Sequence, residues 1–250
     1  MARQLQEQLA ARFPVGKRLR VLDVGLGQGM RALRLARAGH WVTVLERDRT
    51  RVLQARRALA AEPKGIRARM RIVEGDGRDT GVHFPPGGFD VVLCHGVLMH
   101  AEEPDPLLAG LARMLAPGGL LSLLVRNGDA SALRPGLRGD WAAALSALGA
   151  TARLPRPRTS PDEKVPAGPE AGARADRLAD MTATLAGIGA PLRAWYGVRV
   201  FTDTAFADTA ADDAEPPDDL EMLLAAEEQA GRTDPYRAVA ALLHLCGVRG

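Results

Sequence analysis

The sequence predicts an α/β fold, in which a mostly parallel sheet of seven strands carries helices on both faces. Three observations point to it. Aliphatic runs alternate with helical patterns through residues 19–127. The run over 89–94 is apolar almost throughout, as expected of a strand buried on both faces. The first run ends in an acidic residue and closely spaced glycines, and a helical pattern follows at once.

The strands are recognised by their β-branched and aliphatic residues. The predicted strands cover residues 19–24, 41–45, 70–73, 89–94, 120–125, 192–201 and 242–248. The first five alternate with helical patterns, which predicts parallel pairing through crossover connections. Residues 242–248 are a possible last strand of the sheet.

The helices are delimited by capping residues. Gly39 is placed to end a helix over 28–38, because glycine readily adopts the left-handed conformation found at many helix ends. Asp48 is a predicted N-cap for a helix that reaches about Ala61. Asp105 is predicted to cap the next helix, ahead of a proline at its first position. Further helices are predicted over 174–187, 219–230 and 235–240.

Two segments lack the periodicity of regular structure. Residues 150–173 contain five prolines among charged residues, which predicts a mobile loop. Residues 203–219 are acidic and contain prolines, and they predict a second loop. The sequence shows no internal repeat.

Composition and charge narrow the functional classes. The formal net charge is +3 and 30 of the 33 basic residues are arginines, but they are scattered along the chain. Such scatter permits RNA binding without arguing for it. The chain has no apolar run of about 18 residues, which a membrane span would need, and the first residues lack the apolar centre of a secretory signal. We therefore expect a cytoplasmic protein without a membrane segment.

Metal and thiol chemistry is also not expected. The two cysteines, Cys94 and Cys246, lie on apolar segments and have neither metal-ligand spacing nor a disulfide framework around them. The histidines His83, His100 and His244 show no metal spacing with these cysteines. The sequence therefore predicts no metal site.

A glycine motif follows the first strand, with the sequence Asp-Val-Gly-Leu-Gly-Gln-Gly over residues 23–29. Glycine lets the backbone approach a ligand closely, and the following helix start offers free N–H groups. A dinucleotide fingerprint would need glycine at the sixth position from Gly25, where this chain has Met30. The motif resembles motif I of the class I S-adenosylmethionine-dependent methyltransferases, and the alternative is an ordinary tight turn. The resemblance implies their Rossmann-like fold, in which the last strand runs antiparallel.

S-adenosylmethionine offers a charged amino-acid end, a ribose and an adenine for recognition. The residues expected under the amino-acid end are those of the motif itself: Asp23, Gly25, Leu26, Gly27 and Gly29. Glu46, at the end of the second strand, is placed to accept both ribose hydroxyls. The alternative is that Glu46 belongs to a solvated charge cluster with its neighbours.

Two further strand ends complete the predicted cofactor site. Asp76, after the third strand, is placed to accept the adenine amino hydrogens, and the Gly77 N–H to meet a ring nitrogen. His95, at the end of the fourth strand, is expected to face the sulfonium. The alternative for Asp76 is a turn-forming role. Four sites at four successive strand ends agree with ligand binding at the carboxyl edge of an open α/β sheet.

A narrower resemblance covers most of residues 19–248. The matching segments are 20–23, 94–98, 115–119 with 121–123, Asn127, 197–201, and Glu228 through 234–236. In these segments the chain resembles the bacterial tRNA 5-carboxymethoxyuridine methyltransferases, which esterify the carboxylate of a modified wobble uridine. The resemblance implies that Asn127, Arg199 and Tyr236 lie nearer the substrate than the cofactor residues do.

This resemblance implies a particular chemistry. An ionised carboxylate is already a nucleophile, so the enzyme needs to align the reacting atoms and exclude water, without a general base. A planar arginine fork suits a carboxylate, and Arg199 is the residue we expect to hold it. We expect Arg199 within a strand, with its neighbours Val198 and Val200 on the opposite face. The alternative is an arginine that points to solvent.

The resemblance also implies how the chain is organised. We expect a single methyltransferase domain over 1–250, with a cofactor-binding core at 19–127 and a substrate-side part at 174–250. The expected reaction is methyl transfer to an oxygen, and the expected acceptor is the carboxylate of 5-carboxymethoxyuridine in tRNA. A small-molecule O-methyltransferase of secondary metabolism is one alternative. A non-catalytic S-adenosylmethionine-binding protein is the other.

Overall fold

The computed structural model describes residues 1–26, 30–149, 174–202 and 219–250. Gly27 and Gly29, two of the predicted motif residues, lie outside these ranges. The same holds for the predicted loops over 150–173 and 203–218. Those expectations therefore stay predictions.

The described residues form a seven-stranded sheet, in the order β3-β2-β1-β4-β5-β7-β6. Its strands are β1 (Arg20–Val24), β2 (Trp41–Glu46), β3 (Met70–Glu74), β4 (Phe89–His95), β5 (Leu115–Arg126), β6 (Leu192–Val198) and β7 (Leu242–Val248). β1 to β5 are parallel. The predicted α/β class and strand number are confirmed.

The last strand runs antiparallel to its neighbours. The Arg249 N–H donates to the Gly119 carbonyl at 3.0 Å, whereas the Asn127 N–H, further along β5, donates to the Ala241 carbonyl at 3.0 Å. Against β6, the Val248 N–H donates to the Pro191 carbonyl at 3.1 Å. When the residue numbers rise along one strand while those of their hydrogen-bonded partners fall along the other, the two strands are antiparallel. The predicted antiparallel final strand is confirmed.

Within the described residues, ten α-helices accompany the sheet. They are α1 (Ala2–Arg12), α2 (Met30–Arg37), α3 (Arg49–Ala60), α4 (Lys64–Arg67), α5 (Thr80–His83), α6 (Pro104–Met114), α7 (Leu133–Leu137), α8 (Trp141–Gly149), α9 (Leu178–Gly187) and α10 (Leu220–Ala230). Short 3₁₀ turns cover Gly77–Asp79, Leu98–His100 and Tyr236–Val239. None of these helices is long and apolar enough to span a membrane.

Two capping predictions are confirmed. The Asp48 side chain accepts the backbone N–H groups of Thr50 and Arg51 at the start of α3. Gly39 follows α2 with a φ of 100°, in the left-handed region that glycine tolerates. These local signals were sufficient because each cap depends on contacts within a few residues.

The start of α6 differs from the prediction. The helix begins two residues earlier than predicted, at Pro104, and Glu103 occupies the N-cap. Asp105 therefore lies inside the first turn, where an acidic side chain complements the helix dipole without capping it. Proline suits the first helical position because its missing N–H is not needed there, and Pro104 is the first proline available.

β5 is longer than predicted. It begins at Leu115, directly after α6, so the proline-glycine segment 117–119 lies within the strand. The pairing of β5 with β4 shifts register after Phe89. Gly118, with a φ of 73°, accommodates this irregularity and donates its N–H to the Arg249 carbonyl at 2.9 Å. The pairing with β7 thus keeps the proline-glycine segment in the sheet.

β6 is shorter than predicted and excludes Arg199. The strand ends at Val198, and Arg199 adopts a left-handed φ of 59°. The reason lies in the following backbone, which turns toward Glu227. The Glu227 carboxylate accepts the N–H groups of Val200, Phe201 and Thr202 at 2.9, 2.8 and 2.8 Å. Successive N–H groups that converge on one anion cannot also continue a strand. The expectation that Arg199 lies within the strand is wrong.

The described chain divides into two compact units. The larger unit comprises Ala2–Leu124, Thr182–Ala194 and Leu245–Gly250, and the smaller unit comprises Met1, Val125–Met181 and Trp195–His244. The core of the larger unit contains fully buried leucines of the central strands, such as Leu22, Leu45 and Leu93. The core of the smaller unit includes Val200, Ala230 and Ala240.

We expect Glu227→Ala to lower the free energy of unfolding by about 1–2 kcal/mol, because three backbone N–H groups lose their charged acceptor. Chemical denaturation with urea measures this change. Glu228→Ala is the matched control, because Glu228 makes an i,i+4 ion pair with Arg232 on the same helix, of a type worth about 0.3–0.5 kcal/mol. Equal losses in the two variants would contradict the role assigned to Glu227.

Candidate functional site

A cavity of about 560 Å³ opens at the carboxyl ends of β1, β2, β3 and β4, within the larger unit. Each strand end contributes a pair of lining residues: Val24 and Gly25, Leu45 and Glu46, Gly75 and Asp76, and His95 and Gly96. This is the edge at which open α/β sheets bind ligands, and the volume is typical of small-molecule sites. Of the predicted cofactor residues, Gly25, Glu46, Asp76, Gly77 and His95 line the cavity.

Glycines continue the sheet pairing just beyond the strands and keep the cavity open. The Gly25 N–H donates to the Leu45 carbonyl at 2.9 Å, and the Gly75 N–H donates to the Glu46 carbonyl at 3.0 Å. A Cβ on Gly25 would collide with the Val97 side chain. A Cβ on Gly77 would lie 2.6 Å from Val24 Cγ1. These positions therefore require glycine for close approach.

Glu46 presents a buried carboxylate to the cavity. It is 4% exposed, and each of its oxygens accepts one backbone N–H: Oε2 from Leu26 at 2.7 Å and Oε1 from Asp48 at 2.9 Å. A carboxylate oxygen has two lone pairs. Each oxygen can therefore accept one further hydrogen, and the fixed carboxylate is suited to two neighbouring hydroxyls.

Asp76 is held by its own turn. Its carboxylate accepts the Arg78 N–H at 2.9 Å and pairs with the Arg78 guanidinium at 2.8 and 3.1 Å. The side-chain and backbone hydrogen bonds from Arg78 lower the pKa of Asp76 to about 2. The group is therefore an anion in any neutral buffer, with acceptor capacity left for one or more further hydrogens.

His95 has both ring nitrogens engaged. Its Nδ1 lies 2.5 Å from Arg31 Nη1, and its Nε2 lies 2.8 Å from Ser122 Oγ. Arginine can only donate, so Nδ1 accepts, and the proton of a neutral ring lies on Nε2, where it donates to Ser122. We assign His95 this neutral tautomer from its partners.

Asp23 lies behind His95 and is fully buried. The Arg31 guanidinium pairs with both of its oxygens, at 2.9 and 3.3 Å. Burial raises the pKa of Asp23 above its ordinary value, and the charge and hydrogen bonds of Arg31 oppose that effect. Asp23 and Leu26 are not among the residues that line the cavity. Asp23 pairs with Arg31, which contacts the lining residue His95, and the Leu26 N–H donates to the lining residue Glu46.

The sequence analysis missed Arg31 and Ser122, although each left a signal. Arg31 is a basic residue in the first turn of α2, where the helix dipole favours acidic side chains. Ser122 is a hydroxyl within a run of buried leucines on β5, and such a group needs a hydrogen-bond partner. The arginines at the cavity wall (Arg47, Arg51 and Arg78) were also missed.

The predicted substrate-side residues lie near one another in the smaller unit. The Asn127 side-chain amide donates to the Ala238 and Ala240 carbonyls at 2.9 and 2.8 Å. These two carbonyls lie on either side of Val239, the last residue of the 3₁₀ turn that begins at Tyr236. The Arg199 carbonyl accepts the Ala241 N–H at 3.1 Å. Tyr236 is 52% exposed and Arg199 is exposed, whereas Asn127 is buried and its side chain pins the turn.

The cysteines are unsuited to nucleophilic roles. Cys94 and Cys246 are both buried, and burial raises the pKa of each thiol to about 12. In the ranges that the structure describes, no group of three or more histidine, cysteine or acidic side chains is arranged to hold a metal ion.

Residues 22–123 match the family model described as "Methyltransferase domain". Over 111 residues the chain is 34% identical to a tRNA 5-carboxymethoxyuridine methyltransferase of Escherichia coli K12. The match covers 44% of this chain and 41% of that protein. Over 108 residues it is 33% identical to a ubiquinone biosynthesis O-methyltransferase of Xanthomonas euvesicatoria, covering 43% of each. The matches span less than half the length of these curated relatives.

The fold has counterparts among solved structures. Magnesium protoporphyrin IX methyltransferase of Synechocystis, crystallised with bound SAH, superposes with a TM-score of 0.59 at 18% identity, over 99% of this chain and 81% of that one. The architecture is that of the class I Rossmann-like methyltransferases.

Proposed function

We propose that this chain, which carries the methyltransferase domain at residues 22–123, is an S-adenosylmethionine-dependent methyltransferase that acts on an oxygen. One observation carries the proposal. Glu46 is a buried carboxylate at the end of β2, with one acceptor site left on each oxygen, and it faces a cavity of about 560 Å³. That arrangement fits the two ribose hydroxyls of the cofactor.

The surrounding residues fit the rest of the molecule. Asp76 and the Gly77 backbone, after β3, are suited to an adenine edge, and the free space beside Gly25 and His95 is suited to the amino-acid end. When bound, S-adenosylmethionine supplies an electrophilic methyl group on a sulfonium. The chain's own residues bind it, orient it and exclude water from it.

We propose a carboxylate as the methyl acceptor, and specifically that of 5-carboxymethoxyuridine in tRNA. The partial relative of Escherichia coli supports this acceptor at 34% identity. The engagement of both His95 nitrogens supports it independently, because this histidine is not free to remove a proton. An ionised carboxylate needs no general base, whereas an alcohol acceptor does.

The test is mass spectrometry of tRNA nucleosides. It follows incubation of the purified protein and S-adenosylmethionine with tRNA whose 5-carboxymethoxyuridine carries an unmethylated carboxylate. We expect a mass increase of one methyl group at the wobble uridine. Methylation of a small-molecule acceptor but not of tRNA would favour the alternative, which the ubiquinone biosynthesis relative supports. Cofactor binding without transfer to any tested acceptor would favour a non-catalytic binding protein.

We propose that Arg199 orients the acceptor carboxylate, because its guanidinium is exposed and it lies in the same unit as Asn127 and Tyr236. Arg199→Gly should leave the protein as stable or more stable, since glycine suits the φ of 59°, yet should raise the acceptor KM about tenfold or more. Arg199→Lys should be intermediate, because it keeps the charge and loses the fork.

Acceptor saturation kinetics beside a cofactor titration measure both effects of Arg199. Cofactor affinity should be unchanged in the two variants. Arg193→Ala, at an exposed arginine within β6, is the control for loss of one positive charge. Normal acceptor kinetics in Arg199→Gly would remove Arg199 from the proposed site.

A further inference from the structure

We infer that residues 47–78, which we call the basic edge, bind the phosphate backbone of the tRNA acceptor, an inference that rests on the proposed function. These 32 residues contain ten basic and four acidic side chains, a net charge of +6, whereas the whole chain carries +3. The rest of the chain therefore sums to −3. Basic residues occur throughout the sequence, but in this segment few acidic residues balance them.

The fold places the basic edge at one side of the larger unit. In the sheet of the described residues, β3 is the outermost strand on that side, and α3 packs against β3 and β2. The short helix α4 joins α3 to β3. All the basic side chains of the segment except Arg69 are exposed: Arg47, Arg49, Arg51, Arg56, Arg57, Lys64, Arg67, Arg71 and Arg78. The positive charge of the segment therefore faces solvent along one edge of the sheet.

Most of these cations have no anionic partner. Arg51 and Arg78 pair with neighbouring carboxylates, and within the described ranges the other eight basic side chains of the segment make no ion pair. Glu62, one of the four acidic residues, pairs with Arg37 of α2, outside the segment. Like charges left unpaired repel one another, so this surface is suited to a partner that brings several negative charges.

The start of α3 shows the same excess of positive charge. Arg49 and Arg51 lie in its first turn, which contains no acidic residue. The helix dipole disfavours cations at that end, so helix stability does not explain these arginines. The helix is 12 residues long, which is about 18 Å, and it carries Arg56 and Arg57 further along. A row of this length can contact more than one phosphate at a time.

RNA suits this surface better than a membrane does. Nine of the ten cations are arginines, whose planar fork binds a phosphate through two of its oxygens. Arg47, Arg51 and Arg78 also line the cavity, so an RNA held here lies next to the proposed site of methylation. Membrane binding requires apolar side chains beside the cations, and Leu53 is the one large apolar side chain that this fully described segment exposes.

Fluorescence anisotropy of a labelled tRNA, measured over a range of salt concentrations, tests the inference. In Arg49→Gln/Arg56→Gln, tRNA affinity should fall about tenfold. The slope of log affinity against log salt concentration should become shallower by about 1.5, because each phosphate contact contributes about 0.7–0.9. Neither arginine lines the cavity, so the affinity for S-adenosylhomocysteine, measured by calorimetry, should equal that of wild type.

Arg18→Gln/Arg113→Gln is the matched control, because these two exposed arginines belong to the same unit but lie outside the basic edge. Its salt slope should stay close to that of wild type. Equal changes in the two double variants would overturn the inference and leave the charges as protection of an edge strand against pairing. Binding to phosphatidylserine vesicles that depends on Arg49 and Arg56, without binding to tRNA, would also overturn it.

The inference and the proposed function can fail separately. If wild type binds tRNA through the basic edge but methylates no tRNA, the inference is supported and the proposed acceptor is refuted. If wild type methylates tRNA and the salt slope of Arg49→Gln/Arg56→Gln is unchanged, the proposed function stands and the inference is overturned.

Discussion

Glu46→Ala should weaken S-adenosylmethionine binding about 10- to 150-fold, the equivalent of about 1.5–3 kcal/mol for hydrogen bonds to a charged acceptor. The effect is large because the carboxylate is buried and already oriented by the N–H groups of Leu26 and Asp48. Under the proposed function, removing it leaves the ribose hydroxyls without an acceptor at a position that is buried in the folded chain. Calorimetry on the purified variant measures the change.

A neighbouring acidic residue provides the control for Glu46. Glu74 on β3 is paired in register with Glu46 but is exposed. Glu74→Ala therefore removes the same formal charge from the same level of the sheet, and cofactor affinity should be nearly unchanged. Thermal unfolding of both variants separates loss of binding from loss of structure. If Glu46→Ala binds normally, the Glu46 carboxylate serves only to hold the backbone N–H groups of Leu26 and Asp48.

Gly25→Ala should destabilise the larger unit by several kcal/mol and abolish measurable cofactor binding. Two costs add at this position. The φ of 79° is left-handed and costs an alanine about 1–2 kcal/mol, and the new Cβ would overlap the Val97 side chain. To relieve the overlap, backbone or side chain must move at the cavity wall, which displaces the loop that faces the ligand.

Gly39→Ala separates these two costs. Gly39 has a φ of 100°, but a Cβ there meets nothing within 4 Å, so this variant carries only the backbone strain. The double variant Gly25→Ala/Val97→Ala should recover part of the loss, because it shortens the obstructing side chain. Urea unfolding of the three proteins gives the free energies. Equal losses in Gly25→Ala and Gly39→Ala would show that the contact with Val97 carries no cost.

Local signals predicted most of the fold. Asp48 begins α3 and Gly39 ends α2 as expected, because caps depend on neighbours within one turn. The boundaries that failed were those decided by distant partners. β5 keeps its proline-glycine segment in the sheet through Arg249, and β6 ends early because the Glu227 carboxylate takes the next three N–H groups.

The candidate site was predictable in outline. Parallel strands bring their carboxyl ends to one edge, so Gly25, Glu46, Asp76 and His95 could be expected together from their positions alone. What they contact was not predictable. Sequence spacing does not reveal that the Arg78 guanidinium donates to the Asp76 carboxylate, because that contact depends on the geometry of one turn.

The sequence by itself determined the fold class, the strand ends that carry polar groups and the glycines that let a ligand approach, since all of these follow from local conformation and strand periodicity. Only the tertiary structure decided the charge pairing. Arg31 meets Asp23 and His95, and Ser122 meets His95, because β1, β4 and β5 are neighbours in the sheet. Buried polar groups must find partners wherever the packed chain offers them, and within this cluster Arg31 and His95 are 64 residues apart along the sequence.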